Sequence, residues 1–382
     1  MFFYNYIKNF DTLEKKNFKY EHLPKGTRLL FQITTRGNNE TVVQKSINKI
    51  NTICEEINFT DYSVEVVTDN GNEKYYSAKI IAVPDSFKDK NNTKKKARAL
   101  QYALEVHKSY ENKKKLWIWH FDEESLLTKQ ALMAVIDHIA GGGKPIAEGA
   151  ILYSDSFFTN KNIIPSIVES ARPYLCHDCM SEMTSNSYPI HMHGSNLLIR
   201  ADIEEAVTWS FGDNLAEDQR FGFEAYKKFN AVFGWHGGTI IEKSPLDIKS
   251  TYLQRKRWTK GTMQNLEHIP SQTRKRYQIL RIITWALGFF SAICALIIIL
   301  LNPVAIPNLF KPLLFLIDFL WLSAYCIGTY QIIKYTSHSI LQKLFIFLLV
   351  FILTPIAGFI DCFSALSGIL SKNTSWIVTR KV

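Results

Sequence analysis

The chain has 382 residues, a formal net charge of +10 and 47% hydrophobic residues, a length that fits one large domain or two modest ones. Its six cysteines are scattered, which excludes a disulfide framework and suits a reducing cytosol. The basic charge alone would suit nucleic acid, yet the sequence has no helix-turn-helix, zinc-finger or aromatic ribonucleoprotein motif. We therefore expect no nucleic-acid partner.

The N-terminal part of the sequence predicts the opening of a nucleotide-binding sheet. Arg28–Thr35 alternates apolar and polar residues as a strand does, and residues 41–56 predict an amphipathic helix. Tyr62–Thr68 predicts a second strand, which ends at Asp69. A strand, a turn and a helix in this order are typical of an α/β sheet that binds nucleotides.

An apolar run over residues 116–121 predicts a buried strand, and three acidic residues follow it directly. Open α/β sheets bind ligands where their strands end. Asp122 and Glu124 lie two residues apart, so on an extended backbone both side chains point the same way and can share one divalent cation. Carboxylate oxygens suit Mg²⁺ or Mn²⁺, which usually bridge to substrate phosphates. A solvated helix N-cap also explains this triplet when it is taken alone.

A group of cysteine and histidine residues leaves zinc binding open. Cys176-His177-Asp178-Cys179 is followed by His191-Met192-His193, so Cys176, Cys179, His191 and His193 could supply four ligands. The His-x-His spacing is shorter than the second half of the usual zinc motifs.

The C-terminal part of the sequence is strongly apolar. Residues 280–301 and 312–333 are each long enough to cross a bilayer as a helix. A third apolar stretch, 341–370, is interrupted by proline, glycine and an acid, so we expect a bent, re-entrant or interfacial path there. The sequence thus predicts a domain over residues 1–275, with an interface segment at 250–275, and a membrane region with a short tail over residues 276–382.

Lysine and arginine residues concentrate just before the first apolar stretch, whereas the following loop carries only Lys311. The positive-inside rule therefore predicts an integral membrane protein whose large domain faces the cytoplasm. The same basic belt would be attracted to anionic membrane lipids.

Four further motifs occur in order along the chain. They are His193-Gly194-Ser195-Asn196-Leu197-Leu198-Ile199-Arg200, Ala216-Glu217-Asp218, Glu242-Lys243-Ser244-Pro245 and Gln254-Arg255-Lys256-Arg257-Trp258. With the acidic pair, they resemble the processive-type family 2 glycosyltransferases, relatives of cellulose and hyaluronan synthases. Within that group they look like the egghead-type β-1,4-mannosyltransferases and their microbial relatives. The resemblance covers roughly residues 28 to 261. It implies a GT-A fold, which is a nucleotide-binding α/β sheet flanked by helices, followed here by transmembrane helices.

The resemblance also implies a donor site. Its expected residues are Thr35, Arg36, Asp69, Lys96, Arg98, Asp122, Gln254 and Arg257. In this interpretation Asp69 binds the base, and a planar Arg257 guanidinium matches the oxygens of the departing diphosphate. Lys96 and Arg98 would act beside a helix N-terminus, although a run of lysines is more often a solvated face. Asp69 could equally be a turn former.

The acceptor site and the catalytic residues are implied in the same way. The expected acceptor residues are Gly194, Ser195, Asn196, Glu217 and Trp258. Asp218 would be the base, because transfer to a hydroxyl needs a carboxylate within reach of its proton. The simpler alternatives are an acidic helix start for Asp218 and a membrane-interface anchor for Trp258.

The resemblance implies a membrane-bound, inverting glycosyltransferase that moves a hexose to a lipid-linked or membrane-proximal glycan and forms a β-glycoside. The donor stays open between GDP-mannose and UDP-glucose. A processive polysaccharide synthase using UDP-glucose is an alternative, although three apolar stretches look too few for a channel. A subunit that binds nucleotide sugar without transfer is another, but the presence of Asp122, Asp218 and Trp258 speaks against it. Two departures from the family pattern are Glu124 in place of the commoner Asp and Ala216 in place of Thr.

The C-terminal tail carries one more resemblance. Residues 376–381, Trp-Ile-Val-Thr-Arg-Lys, look like a segment near the cytoplasmic active site of cellulose synthases. Its basic residues also favour the cytoplasmic side of the membrane. Three full crossings would place this tail outside, which is the second reason to expect that stretch 341–370 does not cross as a plain helix.

Overall fold

The computed structural model describes residues 13–69, 71, 74–155, 157–158, 162–185, 189–301 and 307–371. The predicted tail segment, residues 376–381, lies outside the described residues. The strands are β1 Arg28–Thr35, β2 Tyr62–Thr68, β3 Lys79–Ala82, β4 Leu116–Asp122, β5 Ile146–Asp155, β6 Leu197–Arg200 and β7 Phe233–Lys243. The helices are α1 Glu40–Glu56, α2 Lys95–His107, α3 Lys129–Ala140, α4 Ile163–Ser170, α5 Arg172–Thr184, α6 Ala201–Val207, α7 Glu217–Phe229, α8 Ile248–Gln264, α9 Gln272–Leu301, α10 Lys311–Ile333 and α11 Ile340–Leu370.

The strands form one sheet in the order β3-β2-β1-β4-β6-β5-β7. Strands β3, β2, β1 and β4 run parallel, so their carboxyl ends share one edge. Strand β6 is antiparallel to both β4 and β5, and its first residue pairs with His120. The segment before β6 therefore enters the sheet beside the end of β4, which places residues 194–196 next to Asp122.

Helices cover both faces of the sheet. On one face Phe31, Trp119 and Phe121 are buried and in mutual ring contact, and α1 and α3 pack over them. On the other face Trp209 stacks on Phe221 with ring centroids 4.3 Å apart. Burial on both faces explains why the central strands read as continuous apolar runs. The α/β sheet with flanking helices that the sequence predicts is confirmed.

Among the described residues, three helices are long and apolar enough to cross a membrane: Gln272–Leu301, Asn308–Ile333 (α10 with the 3₁₀ turn before it) and Ile340–Leu370. The sequence predicted a broken stretch over residues 341–370, and this is wrong for the helix itself, because α11 is continuous with Pro355 inside it. The expected bent or interfacial path at the membrane stays a prediction. Gly358 has a packing role, since a Cβ there would lie 2.2 Å from the ring of Trp321 on α10. The Asp361 carboxylate accepts hydrogen bonds from Arg255 Nε at 2.9 Å and Trp285 Nε1 at 2.7 Å. The acid is therefore paired without any break in the helix.

Candidate active site

A cavity of about 560 Å³ opens at the carboxyl ends of β1, β2 and β4. The predicted site residues that line it are Thr35, Arg36, Asp69, Lys96, Asp122, Glu124, Gly194, Ser195, Glu217, Asp218, Gln254, Arg257 and Trp258. Residues that lie far apart in the sequence, from Thr35 to Trp258, thus share one site. Two predicted residues, Arg98 and Asn196, are outside this lining.

Three carboxylates converge at the end of β4. Asp122 is the last residue of that strand, Glu124 lies in the following turn, and Glu242 lies on β7. One oxygen from each lies within 4.8 Å of the others. The sequence motifs predicted no role for Glu242 itself, although it begins the motif Glu242-Lys243-Ser244-Pro245. Its approach depends on backbone hydrogen bonds between Leu126 and Ile241, at 2.8 and 3.0 Å, which draw β7 against the turn.

The turn after β4 is held from two sides. On one side, the Glu123 carboxylate accepts hydrogen bonds from Thr35 Oγ1, at 2.7 Å, and from Asn39 Nδ2. On the other side, Ser125 Oγ donates to Glu242 Oε1 at 2.8 Å and lies 2.8 Å from Ser195 Oγ. Ser195 thereby fixes the turn that carries the carboxylates.

Lys96 lies in the first turn of α2 and faces this acidic group. Its Nζ forms an ion pair with Asp122 and donates to the Gly194 carbonyl at 2.8 Å. Burial lowers the pKa of Lys96, but the charges of Asp122 and Glu217 outweigh it, and the net pKa is raised. The ammonium thus keeps its charge beside the cavity.

Glu217 and Asp218 are the first two residues of α7, so the acidic helix start that the sequence left open is present, and the catalytic role of Asp218 stays a prediction. Burial, and then the neighbouring Glu217 charge, raises the pKa of Asp218 to about 7. Lys96 and Arg257 lower it only in part. A Cβ on Gly194 would lie 3.0 Å from Lys96 Nζ and 3.1 Å from Asp218 Oδ2, so a small residue there allows the close approach.

Helix α8 supplies the opposite wall through Arg257 and Trp258. Burial lowers the pKa of Arg257, against the opposing charges of Glu217, Asp218 and Asp122. The Trp258 ring has the Arg255 guanidinium 4.4 Å from its centroid and the Arg172 guanidinium at 5.3 Å. Cations on aromatic faces stabilise the ring in place.

Arg255 connects this wall to the apolar helices. Its guanidinium pairs with Glu169 on α4 and with Asp361 on α11, each at 2.9 Å. The sequence assigned no role to Arg255, because a single chain gives no signal that α8 packs against an acid more than a hundred residues away.

A model of the "Glycosyl transferase family group 2" matches residues 117–360. The chain belongs to this family. The β-1,4-mannosyltransferase egh of Drosophila melanogaster is 28% identical over 253 residues, which are 63% of this chain and 54% of that protein. The β-1,4-mannosyltransferase bre-3 of Caenorhabditis elegans is 28% identical over 242 residues, covering 61% and 52%. The chain spans about half the length of these curated relatives.

Among solved structures, the mannosyltransferase PcManGT from Pyrobaculum calidifontis, in complex with GDP-Man and Mn²⁺, aligns at 14% identity with a TM-score of 0.47. The alignment covers 97% of this chain and 95% of the PcManGT chain. Family membership rests on the family model and agrees with the sequence motifs, and the observed α/β sheet with flanking helices agrees with the fold class that those motifs predicted.

Two residues that were expected to contact the donor or the acceptor, Arg98 and Asn196, are engaged elsewhere. Arg98 does not line the cavity, because its guanidinium donates to Asp69 Oδ1 at 2.9 Å and to the carbonyls of Pro84 and Phe87. It orients Asp69 instead.

Asn196 lies behind the cavity in a left-handed backbone conformation, with φ of 55°. Its amide nitrogen donates to the carbonyls of Ala150 and Gly238, at 2.8 and 3.0 Å, and its oxygen accepts from Trp119 Nε1 at 3.0 Å. The Asn196 side chain therefore joins the strands beneath the site.

Proposed function

We propose that the protein is a membrane-bound, inverting mannosyltransferase that moves mannose from GDP-mannose to a hydroxyl of a lipid-linked or membrane-proximal glycan. One observation carries the proposal: the acidic group, Asp218 and the Arg257-Trp258 pair line the same cavity. These are the groups that a transfer reaction needs to hold a diphosphate, accept a proton and bind a sugar.

The mannose donor is supported by the relatives, whose names describe β-1,4-mannosyltransferases. They do not favour the alternative of UDP-glucose. Asp69 at the end of β2 is positioned by Arg98 and is the proposed contact to the base. Arg36 and Thr35 at the end of β1 would border the nucleotide.

The acidic group fits a hard divalent cation. Asp122, Glu124 and Glu242 offer only oxygen ligands, which Mg²⁺ and Mn²⁺ prefer. A cation held there would neutralise charge on the donor diphosphate. Lys96 adds a fixed positive charge on the same side, and a lysine near a helix N-terminus suits phosphate.

The remaining residues divide the transfer step between them. Asp218 accepts the proton of the acceptor hydroxyl, and a carboxyl with a pKa of about 7 is well matched to that task near neutral pH. The hydroxyl oxygen bonds to the anomeric carbon as the bond to the diphosphate breaks. Arg257 stabilises the departing diphosphate. A single displacement on an α-linked donor leaves a β-glycoside. Trp258 offers a broad apolar face for the acceptor sugar.

The wall that carries Trp258 also packs on an apolar helix, which supports a membrane-proximal acceptor. Tyr252 on α8 is 2.6 Å from Ser367 Oγ on α11, and Lys260 Nζ donates to the Ser371 carbonyl at 2.6 Å. The basic residues at the start of α9 support a cytoplasmic site. We favour single transfer over processive synthesis, because three helices are few for a channel.

A donor screen tests this proposal. The full chain in detergent, supplied with Mn²⁺ and membrane lipid, should release nucleotide from GDP-mannose much faster than from UDP-glucose. Asp218→Asn should slow the release by roughly a hundredfold or more. The matched control Asp202→Asn, whose side chain pairs with Arg200 outside the cavity, should retain it. Binding of GDP-mannose without any turnover by the wild-type chain would instead support a non-catalytic subunit.

A further inference from the structure

A second group of metal ligands lies beside the cavity, and the reaction proposed above does not use it. Cys179 is a buried residue of α5, while His191 and His193 lie on the segment that leads into Gly194. The Cys179 sulfur is 3.3 Å from His191 Nδ1 and 3.3 Å from His193 Nε2. All three ligand atoms lie within 4.8 Å of one another.

Of the four zinc ligands that the sequence left open, the structure brings three together. Cys176 lies one turn earlier on α5, but its sulfur faces the Ile151 carbonyl at 3.9 Å. It is outside the group whose ligand atoms converge. Cys176 thus provides a matched control, since it is a buried cysteine on the same helix as Cys179.

We propose that Cys179, His191 and His193 bind a zinc ion. A tetrahedral zinc with one sulfur and two nitrogen ligands would place the sulfur about 3.6 Å from each nitrogen. The observed 3.3 Å is therefore close to a liganded geometry before any adjustment. A thiolate with two imidazoles suits zinc and disfavours Mg²⁺, so this site and the acidic group select different ions.

The orientation of the three side chains also suits an ion. With Cys179 as a thiolate, its sulfur and the two ring nitrogens that face it could all bind one cation. His191 and His193 border the cavity, so the fourth position of a tetrahedral ion would be open to an oxygen ligand from it.

The surroundings show what such an ion would hold together. The His193 backbone amide donates to buried Glu148, and the His191 amide donates to Glu182 on α5 at 3.1 Å. Gly194 follows directly: its carbonyl accepts a hydrogen bond from Lys96 Nζ at 2.8 Å, and a Cβ there would lie 3.1 Å from Asp218 Oδ2. Zinc would thus fix this segment to α5 and set the position of Gly194 beside the proposed base.

The test is the metal content of the full chain, purified in detergent without chelator and measured by inductively coupled plasma mass spectrometry. Wild type and Cys176→Ser should each carry about one zinc per chain, and Cys179→Ser and His193→Gln should lose most of it. A Co²⁺ titration of the metal-depleted wild type should show a thiolate-to-cobalt absorption band. Cys176→Ser should keep this band and Cys179→Ser should lose it.

Several results would overturn the site. They are a wild-type chain that neither retains zinc nor shows the cobalt band, an equal loss in Cys176→Ser, and full zinc content in Cys179→Ser. If Cys179→Ser fails to fold, the cobalt spectra of wild type and Cys176→Ser still decide the question. Neither readout depends on turnover, so this inference and the proposed mannosyl transfer can fail separately.

Discussion

Two sets of carboxylates in one cavity have opposite surroundings. At the sheet edge, Asp122, Glu124 and Glu242 converge from three chain segments with Lys96 beside them. At the start of α7, Glu217 and Asp218 are neighbours, and burial with like charge raises the pKa of Asp218 to about 7. The difference teaches how environment can suit one type of side chain to two roles. In the proposed reaction the converging oxygens hold a cation, and the carboxyl with the raised pKa accepts a proton.

The largest expected effect concerns the sheet edge. Asp122→Asn should lose transfer and weaken donor binding, because the proposed cation links the protein to the diphosphate. Chelation should abolish transfer in the wild type, and Mn²⁺ or Mg²⁺ alone should restore it. The control is Asp202→Asn. Asp202 lies on α6, outside the cavity, and its carboxylate pairs with Arg200 at the end of β6. Full transfer in the presence of chelator would contradict the assignment.

The next prediction tests whether Glu242 binds the metal or has only a structural role. Glu242→Gln should raise the metal concentration needed for half-maximal transfer and lower the rate by roughly tenfold or more, since even outer partners of a metal cost about that much. Transfer should be titrated with Mn²⁺ for both proteins. An unchanged metal requirement would limit the ion to Asp122 and Glu124.

The link between the cavity wall and the apolar helices gives a stability effect. Arg255→Met leaves Glu169 buried without its partner, so the free energy of unfolding should fall by about 3 kcal/mol. Lys256→Met, at a partly exposed position, should change it by less than about 0.5 kcal/mol. Unfolding in detergent measures both. Equal stability of the two variants would mean that Arg255 does not couple α8 to α4 and α11.

The last of these predictions concerns the pH dependence that Asp218 confers. Its folded pKa of about 7 lies above the ordinary value of 3.8, so the folded state binds this proton more tightly than the unfolded state. The stabilisation is present below the ordinary pKa and is lost as the pH rises through about 7. Transfer should increase over the same range, because the base must be unprotonated. Asp218→Asn should flatten the pH dependence of the melting temperature, and an unchanged dependence would contradict the raised pKa.

Much of the fold was predictable because the sheet is buried on both faces. Strands β1 and β2 have the bounds that the sequence predicted, since alternation and turn residues mark both ends. The apolar helices were predicted by length and composition, and three such helices are present among the described residues. The third was mispredicted as broken. A sequence does not reveal that Gly358 packs on Trp321 or that Asp361 finds Arg255.

The site was less predictable wherever a role depends on a distant partner. Asp122 and Glu124 were found because they end an apolar run. Glu242 was given no role, because its approach depends on the bridge between Leu126 and Ile241. Arg98 and Asn196 were expected to face ligands, but each is engaged by partners on other segments.

The most direct test of the two carboxylate roles measures donor binding and transfer together in Asp122→Asn and Asp218→Asn. With Mn²⁺ present, Asp218→Asn should bind GDP-mannose as wild type does and transfer it roughly a hundredfold or more slowly, as loss of a general base usually does. Asp122→Asn should lose binding and transfer together. Near-normal transfer by Asp218→Asn, or loss of donor binding in that variant alone, would contradict the division of roles between the sheet edge and α7.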